Sequence, residues 1–225
     1  MTGFDFSNRS GYPCWSASDG ELEMRFIGRG RHVARDGVLR AIEPDHDLAP
    51  VSWARQIHSA RRLPARPGLV GEGDALYTES RGLPLCVATA DCVPIVLAAD
   101  GRIAAVHAGW RGLAAELPRI AAAELGRTNS SISAWIGPAI GRCCYEVGAE
   151  VADAVAGVSD ATVVDRRPPR PHLDLVAAAR AQLTAGGVSR VQAVDSCTRC
   201  NADLLWSYRR EGTNAGRNLA FVWRR

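Results

Sequence analysis

Short apolar runs alternate with segments of helical periodicity from Leu83 to the end of the chain. An apolar run bounded by turn-forming residues predicts a strand, and apolar positions three and four residues apart predict a helix. The predicted strands are residues 85–90, 94–100, 102–108, 132–137, 161–165, 191–195 and 219–223. The predicted helices are residues 112–126, 147–158 and 173–187. Pro118 indicates either a kink in the first of these helices or a later start.

The rest of the chain is patterned less clearly. The first 50 residues show no periodicity that places firm elements, and Pro and Gly make residues 61–73 loop-like. The alternation of strands and helices in the second half predicts an α/β fold, in the form of an α+β sandwich whose sheet is covered by helices. A chain of 225 residues can bury one large core, so we expect residues 1–225 to form a single domain.

One hairpin is predicted residue by residue. Asp100-Gly101 lies between two apolar runs, which is a strong signal for a two-residue turn. With that turn, His107 lies opposite Pro94, and Cys92 lies on the same face of the sheet as Pro94. Cys92 and His107 are then diagonal neighbours with Cα atoms about 7–8 Å apart. Such a pair can share a zinc ion, or His107 can deprotonate Cys92 as a nucleophile, and the spacing leaves both open.

The amino-acid composition excludes several reaction types and binding partners. Of the residues, 47% are hydrophobic and 23% are charged, the formal net charge is +3, and all 27 basic residues are Arg. The absence of Lys excludes Schiff-base chemistry and a phosphate-loop Lys, so a bound phosphate needs Arg, backbone N–H groups or a metal. The mild charge does not predict nucleic-acid binding. The sequence shows neither a membrane-spanning run nor a signal peptide, so we expect a cytoplasmic protein with no membrane partner.

Cysteine and histidine are the remaining candidates for a site. The chain has seven Cys and five His. An odd number of Cys without a signal peptide favours reduced thiols, metal ligands or a nucleophile over a disulfide framework. Cys143 and Cys144 are adjacent, and Cys197 and Cys200 form a CxxC motif. A lone CxxC is weak evidence for zinc, so the roles of these four stay open.

Six short motifs point to one protein family. They are Gln56-Ile57-His58, Gly73-Asp74-Ala75-Leu76, Thr89-Ala90-Asp91-Cys92, the stretch from His107 to Gly112 (HAGWRG), the stretch from Gly137 to Glu146 (GPAIGRCCYE) and the stretch from Ser207 to Gly212 (SYRREG). In this order they resemble the laccase-domain, or multicopper polyphenol oxidase-like, family, over roughly residues 53–223. Members include purine nucleoside phosphorylases and peptidoglycan editing factors. The resemblance implies a single domain similar to the catalytic domain of cytotoxic necrotizing factor.

The resemblance also implies an activity. The family's zinc ligands correspond to His58, Cys92 and His107, and three protein ligands leave one position open, as in catalytic zinc sites. The implied function is a zinc-dependent purine nucleoside phosphorylase with adenosine deaminase activity. Its substrates would be phosphate and adenosine, inosine or, as a further candidate, methylthioadenosine. Arg111 is the predicted phosphate ligand, and Asp91 is a candidate general acid or base, or a partner of the adjacent Cys92.

Departures from the family pattern keep alternatives open. Ser59, Arg142 and Ala179 replace the usual Gly, Pro and Asn, and residues 1–50 form a divergent N-terminal segment. One alternative is a peptidoglycan editing factor acting on a mispaired UDP-muropeptide precursor. Another is a Cys–His hydrolase or deamidase with Cys92 as nucleophile and His107 as base. A third is a metal-stabilised binding module without turnover.

The oxidase label of the family is a fourth alternative. Five histidines are too few for the copper cluster of a multicopper laccase. Cu²⁺ can nevertheless occupy a single His₂Cys centre in vitro, because it outcompetes Zn²⁺ at most sites of nitrogen and sulfur ligands.

Overall fold

The computed structural model describes residues 3–30, 34–44, 47–126 and 131–225. Its strands are β1 (Asp5–Arg9), β2 (Tyr12–Asp19), β3 (Leu22–Ile27), β4 (Ser52–Arg55), β5 (Arg62–Pro64), β6 (Gly68–Glu72), β7 (Ala75–Thr78), β8 (Leu85–Thr89), β9 (Val93–Ala99), β10 (Arg102–Ala108), β11 (Ile132–Ile136), β12 (Val164–Asp165), β13 (His172–Leu173), β14 (Val188–Ala193) and β15 (Asn218–Arg224). Its α-helices are α1 (Arg35–Ile42), α2 (Trp110–Ala114), α3 (Leu117–Leu125), α4 (Ala149–Ala156), α5 (Leu175–Ala185) and α6 (Tyr208–Glu211).

Two large sheets pack face to face. One has seven strands in the order β1-β2-β3-β15-β8-β4-β6, and the other has six in the order β14-β11-β9-β10-β7-β5. The apolar core between them includes Val96, Ala105 and Trp135 from the six-stranded sheet and Met24 and Val222 from the seven-stranded sheet. This arrangement confirms the predicted α/β class, with sheets covered by helices.

Helices cover the outer face of each sheet. Because side chains alternate along a strand, Ile95, Val106 and Ile136 point away from the sheet interface and pack against α2 to α5. On the opposite side, Leu39 of α1 packs with Phe221 over the seven-stranded sheet. Among the described residues, no helix is long and apolar enough to cross a membrane.

The β9–β10 hairpin has the predicted register. Asp100 and Gly101 have φ values of 44° and 76°, which the two central residues of a type I′ turn require. His107 pairs with Pro94, as predicted. Pro94 is tolerated because it lies near the start of β9, beyond the pairing with β11, which ends at Ile95.

Several predicted boundaries are wrong. The helix predicted over 112–126 is two helices, and Pro118 lies in the first turn of α3, as the later start requires. Within the predicted strand 161–165, residues 161–163 form a 3₁₀ turn and only Val164–Asp165 form a strand. The segment 61–73, predicted to be a loop, contains β5 and β6.

The first 50 residues are not irregular. They supply β1, β2 and β3 to the seven-stranded sheet, as well as α1. In β3 charged residues alternate with apolar ones, and both sets are buried. Arg25 donates to Glu43 Oε1 at 2.5 Å and to Glu23 Oε2 at 3.0 Å, and all three side chains are buried. The apolar residues Leu22, Met24 and Phe26 alternate with the charged ones, which is the period-two pattern of a strand, so the expectation that residues 1–50 place no firm element is wrong.

Candidate functional site

His58, Cys92 and His107 come together at one edge of the sheets. His58 follows β4, Cys92 lies in the turn between β8 and β9, and His107 is near the end of β10. One ligand atom from each lies within 4.8 Å of the other two. The two imidazole rings have centroids 4.9 Å apart and lie edge to face. The hairpin register and the chain reversal after β4 therefore place three potential metal ligands around one point.

Two residues at the site have left-handed backbone conformations. His58 has a φ of 57° and Asp91, directly before Cys92, has a φ of 101°. Non-glycine residues rarely adopt such values, and those that do cluster at functional sites. Both conformations are held by hydrogen bonds, through His58 N and through the Asp91 carboxylate.

The carboxylate of Asp74 holds the centre in place through hydrogen bonds. It is almost fully buried, and its Oδ1 lies 2.9 Å from His107 Nδ1 and accepts from His58 N at 3.0 Å. Its Oδ2 accepts from Ser59 N at 2.6 Å and from Ser59 Oγ at 2.7 Å. A carboxylate on one ring nitrogen fixes the tautomer of a metal-binding His and leaves the other nitrogen for the ligand. Asp74 thus orients His107 and anchors the turn that carries His58.

Gly109 leaves room for these side chains. A Cβ atom at this position would lie 2.9 Å from Cys92 Sγ and 3.2 Å from His58 Cδ2. The first contact would displace Cys92 Sγ, and the second would displace the His58 ring by a few tenths of an ångström. The Gly of the HAGW motif is therefore required by close approach to two of the three potential ligands.

The pKa values of Cys92, His107 and Asp74 are all shifted from their ordinary values. Burial opposes ionisation of the Cys92 thiol, but hydrogen bonds with His107 and His58 outweigh it and lower the pKa of Cys92. Burial likewise disfavours imidazolium, yet Asp74 and Cys92 together raise the pKa of His107. For Asp74, hydrogen bonds from His107 and Ser59 overcome burial and lower its pKa to about 2. The site therefore favours thiolate and carboxylate, and Cys92 is in the form that binds metals.

The centre opens into a cavity of about 650 Å³. This size is within the range of small-molecule sites. The arginines that line it are Arg35, Arg55, Arg111, Arg209 and Arg217. The one acidic residue among the described lining residues is Asp91, so the walls carry an excess of positive charge that suits an anionic ligand.

Asp91, a predicted catalytic residue, lines this cavity with both carboxylate oxygens engaged. Oδ1 accepts from Thr198 Oγ1 at 2.5 Å, and Oδ2 accepts from Arg209 N at 2.6 Å. Through these bonds Asp91 joins the turn that carries Cys92 to two later loops. Its contacts are those of a positioning residue.

Arg111, the predicted phosphate ligand, lines the cavity from the first turn of α2. Its side chain is exposed, and its guanidinium carbon lies 4.4 Å from the centroid of the Trp110 ring. No described residue accepts a hydrogen bond from it, so its donors are free for a ligand. Cation–π stacking on Trp110 holds the charge beside the cavity.

The sequence did not identify several residues that support the site. Asp74 belongs to the Gly73-Asp74-Ala75-Leu76 motif, and that motif was the available signal for its role. Arg209 belongs to the SYRREG motif and is a candidate for phosphate from the sequence, but its contact with Asp91, like that of Thr198, spans more than 100 residues, and no local pattern indicates it. His172 is neither in the group of three potential ligands nor among the residues that line the cavity, and its Nδ1 lies 2.8 Å from the carbonyl oxygen of Arg142. His32 and His46 lie outside the described residues.

The donor set fits zinc. Two imidazole nitrogens and one thiolate are common ligands of this metal, and three of them leave one coordination position for a substrate or water. A blue-copper site has the same three ligands and usually adds an axial Met. Met24 is fully buried in the core between the sheets and does not line the cavity. The arrangement of the described residues therefore suits zinc better than an electron-transfer copper centre.

Relatives with assigned names share most of the chain. A protein of Pseudomonas aeruginosa named purine nucleoside phosphorylase is 36% identical over 210 residues, which cover 88% of this chain and 85% of the relative. A protein of an unknown prokaryotic organism named adenosine deaminase is 39% identical over 201 residues, which cover 80% of this chain and 77% of the relative.

Solved structures show the same fold. YlmD from Geobacillus stearothermophilus superposes with a TM-score of 0.85 at 27% identity over the whole of both chains. The Neisseria meningitidis protein NMB0706 superposes with a TM-score of 0.79 at 26% identity over 99% of both chains. The family described as multi-copper polyphenol oxidoreductase laccase matches residues 32–225. The chain therefore belongs to this laccase-like family.

Proposed function

We propose that the protein is a zinc-dependent purine nucleoside phosphorylase that also deaminates adenosine. The observation that carries the proposal is the combination of the His58–Cys92–His107 centre with a cavity whose described walls hold five arginines. The names of the relatives in Pseudomonas aeruginosa and in the unknown prokaryote support the same two activities.

The three ligand residues would hold the metal. Bound zinc would supply Lewis acidity at the open position. Asp74 keeps His107 in one tautomer, with Nδ1 on the carboxylate and Nε2 towards the centre. The cavity then determines which substrate atoms reach this position.

In the phosphorolysis, a phosphate oxygen forms a bond to C1′ of the ribose while the bond from C1′ to the purine nitrogen breaks. The bonding electrons leave with the base, which takes up a proton, and ribose 1-phosphate is the second product. We assign phosphate binding to Arg111, because its donors are not engaged by any described residue. Arg209 donates to the carbonyl oxygen of Glu146 at 2.8 Å and is partly committed elsewhere.

The cavity also offers groups for the nucleoside. Trp110 and Tyr145 line it and give aromatic surfaces for a purine ring. Burial raises the pKa of the Tyr145 phenol to about 12, so it remains a hydrogen-bond donor at neutral pH. The buried Thr89 hydroxyl has no hydrogen-bond partner among the described residues, which suits a contact with a polar substrate atom.

The test is product analysis with adenosine. Zinc-loaded protein is incubated with adenosine in the presence and absence of phosphate. We expect adenine and ribose 1-phosphate only with phosphate, and inosine and ammonia in both conditions. Cys92→Ala should lose all of these products. No turnover by protein that carries zinc would refute the proposal for adenosine and favour a UDP-muropeptide precursor as the next substrate to assay.

Replacement of Arg111 should affect phosphorolysis but not the deamination of adenosine. Arg111→Ala should raise the KM for phosphate by about tenfold, as expected for the loss of a charge-assisted hydrogen bond. It should leave the phosphate-independent formation of inosine within about twofold. Arg180→Ala is the matched control, because Arg180 is exposed on α5 away from the cavity. Equal losses of both reactions in Arg111→Ala would argue against a specific phosphate contact.

A Cys–His hydrolase is the second candidate. It is favoured by the chain of contacts from Cys92 through His107 to Asp74, which has the order of nucleophile, base and orienting carboxylate. In that case a thiol alkylator would abolish activity on an amide substrate and a chelator would not. Loss of activity with a chelator, and its return with zinc alone, would decide for the metal enzyme.

A further inference from the structure

Four cysteines form a second cluster on two neighbouring turns. Cys143 and Cys144 lie in the turn after β11, and Cys197 and Cys200 lie in the turn after β14. These strands are parallel neighbours, so their carboxyl ends meet at one edge of the sheet. The bond from Thr198 N to the Ala139 carbonyl oxygen, at 3.0 Å, ties the two turns together.

The sulfur atoms have the spacing of a metal site. Cys144 and Cys200 have Sγ atoms 3.4 Å apart, Cys143 and Cys144 3.6 Å, and Cys143 and Cys200 3.7 Å. All four Sγ atoms lie within 4.8 Å of one another. Zinc–sulfur bonds of about 2.3 Å in a tetrahedron give sulfur–sulfur edges of about 3.8 Å. The cluster is therefore already close to the size that one zinc ion requires.

Neighbouring groups suit thiolate ligands. Gly141 N donates to Cys197 Sγ at 3.2 Å, and Arg199 Nη1 lies 3.7 Å from Cys144 Sγ. Four thiolates and one divalent ion carry a net charge of −2, which a guanidinium and backbone N–H groups offset. Such outer contacts orient metal-bound thiolates.

We propose that Cys143, Cys144, Cys197 and Cys200 bind a second zinc ion in a closed, structural site. Binding replaces four thiol protons by one Zn²⁺ and needs no oxidant. Four protein ligands fill the tetrahedron, so this zinc has no position for a substrate. The proposal is independent of the activity assigned to the cavity.

The second zinc would hold one wall of the cavity in place. Tyr145 follows Cys144 directly and lines the cavity. Thr198 lies between the two ligands of the CxxC motif and donates to Asp91, which precedes Cys92. The four-cysteine site is therefore linked to the cavity in two ways. One is the peptide bond from Cys144 to Tyr145, and the other is the hydrogen bond from Thr198 to Asp91.

The test counts metal ions per chain. The full chain is purified under reducing conditions, loaded with Zn²⁺ and analysed by mass spectrometry. We expect about two zinc ions for the natural sequence, one for Cys92→Ala and one for Cys200→Ala. Cys200 is exposed, so its loss is not expected to prevent folding. Cys86→Ala, which removes a buried thiol outside both groups, is the control and should keep both ions.

X-ray absorption identifies the ligands. The zinc retained by Cys92→Ala should show a shell of sulfur atoms only, at about 2.3 Å. A nitrogen-containing shell, or no zinc in Cys92→Ala, would overturn the proposal. Titration of the unreduced, denatured protein provides a second check. Two fewer thiols than the seven in the sequence would indicate a disulfide in the cluster and would also overturn it.

Discussion

The two groups of potential metal ligands differ in what holds them. The His58–Cys92–His107 centre lies at strand ends, and the nearly fully buried Asp74 binds its backbone and one imidazole. The four-cysteine cluster lies on two turns, and two of its members are exposed. The first is organised by a buried carboxylate, whereas the second is held by contacts between its two turns, such as the bond from Thr198 N to the Ala139 carbonyl oxygen.

This difference indicates different roles. A centre with three ligands, an open position and a cavity beside it has the features of a catalytic site. A cluster whose four ligands fill the tetrahedron of a zinc ion has the features of a cross-link between loops. One chain can thus use cysteine both to activate a substrate and to fix the loops around it. Each of the following experiments affects one group more than the other.

Metal removal should separate the two groups most strongly. The open centre has three ligands and access to solvent, so a chelator should take its zinc before it takes the zinc of the closed cluster. Turnover of adenosine should fall by more than about 100-fold, which exceeds the loss expected for an outer-shell change alone. The measurement is activity against zinc content during stepwise chelation. Full activity with one zinc per chain, retained in the cluster, would contradict this assignment.

Asp74→Asn should weaken only the open centre. The substitution removes the negative charge behind His107 but keeps nearly the same shape. Loss of such a partner costs about 10–100-fold in metal affinity or activity. Competition with a fluorescent zinc chelator measures the affinity, and the cluster serves as an internal reference. Asp165→Asn, at a half-buried carboxylate paired with Arg167, should leave both sites unchanged.

Zinc binding to the cluster should appear in thermal stability. At free zinc about tenfold above its Kd, a site present only in the folded state adds about 1.4 kcal/mol. For a chain of this size that corresponds to an increase in Tm of about 3–6 °C. We expect this increase in Cys92→Ala, where the cluster is the remaining site, and its absence in the double variant Cys92→Ala/Cys200→Ala. An equal increase in both variants would show that zinc stabilises the chain elsewhere.

The sequence was informative where structure is local. The Asp100-Gly101 turn fixed the register that places His107 opposite Pro94, because a two-residue turn determines every pair in its hairpin. The motifs of the laccase-like family then added His58, which no hairpin could supply.

Long-range contacts could not be predicted in the same way. The pairing of β3 with β15 joins residues near the two ends of the chain, and no local pattern indicates which strands pair. The CxxC motif appeared isolated because its partners, Cys143 and Cys144, come close only through the parallel pairing of β11 with β14. Even the CC pair is ambiguous in sequence, since adjacent side chains on a strand point in opposite directions, whereas here both lie in a turn.

Thr198→Val tests the connection between the two groups and should have the smallest effect. The change keeps the shape of this buried side chain but removes the hydroxyl that donates to Asp91 Oδ1 at 2.5 Å. Asp91 keeps its bond from Arg209 N, so its position should loosen without being lost. We expect about a three- to fivefold decrease in kcat/KM for adenosine, equivalent to about 1 kcal/mol. Zinc content should stay at two ions per chain. Thr198→Ser, which keeps the hydroxyl, should restore the natural kcat/KM. If Thr198→Val instead lost the zinc of the cluster, this residue would be needed to form the cluster and would not act only as a link to the cavity.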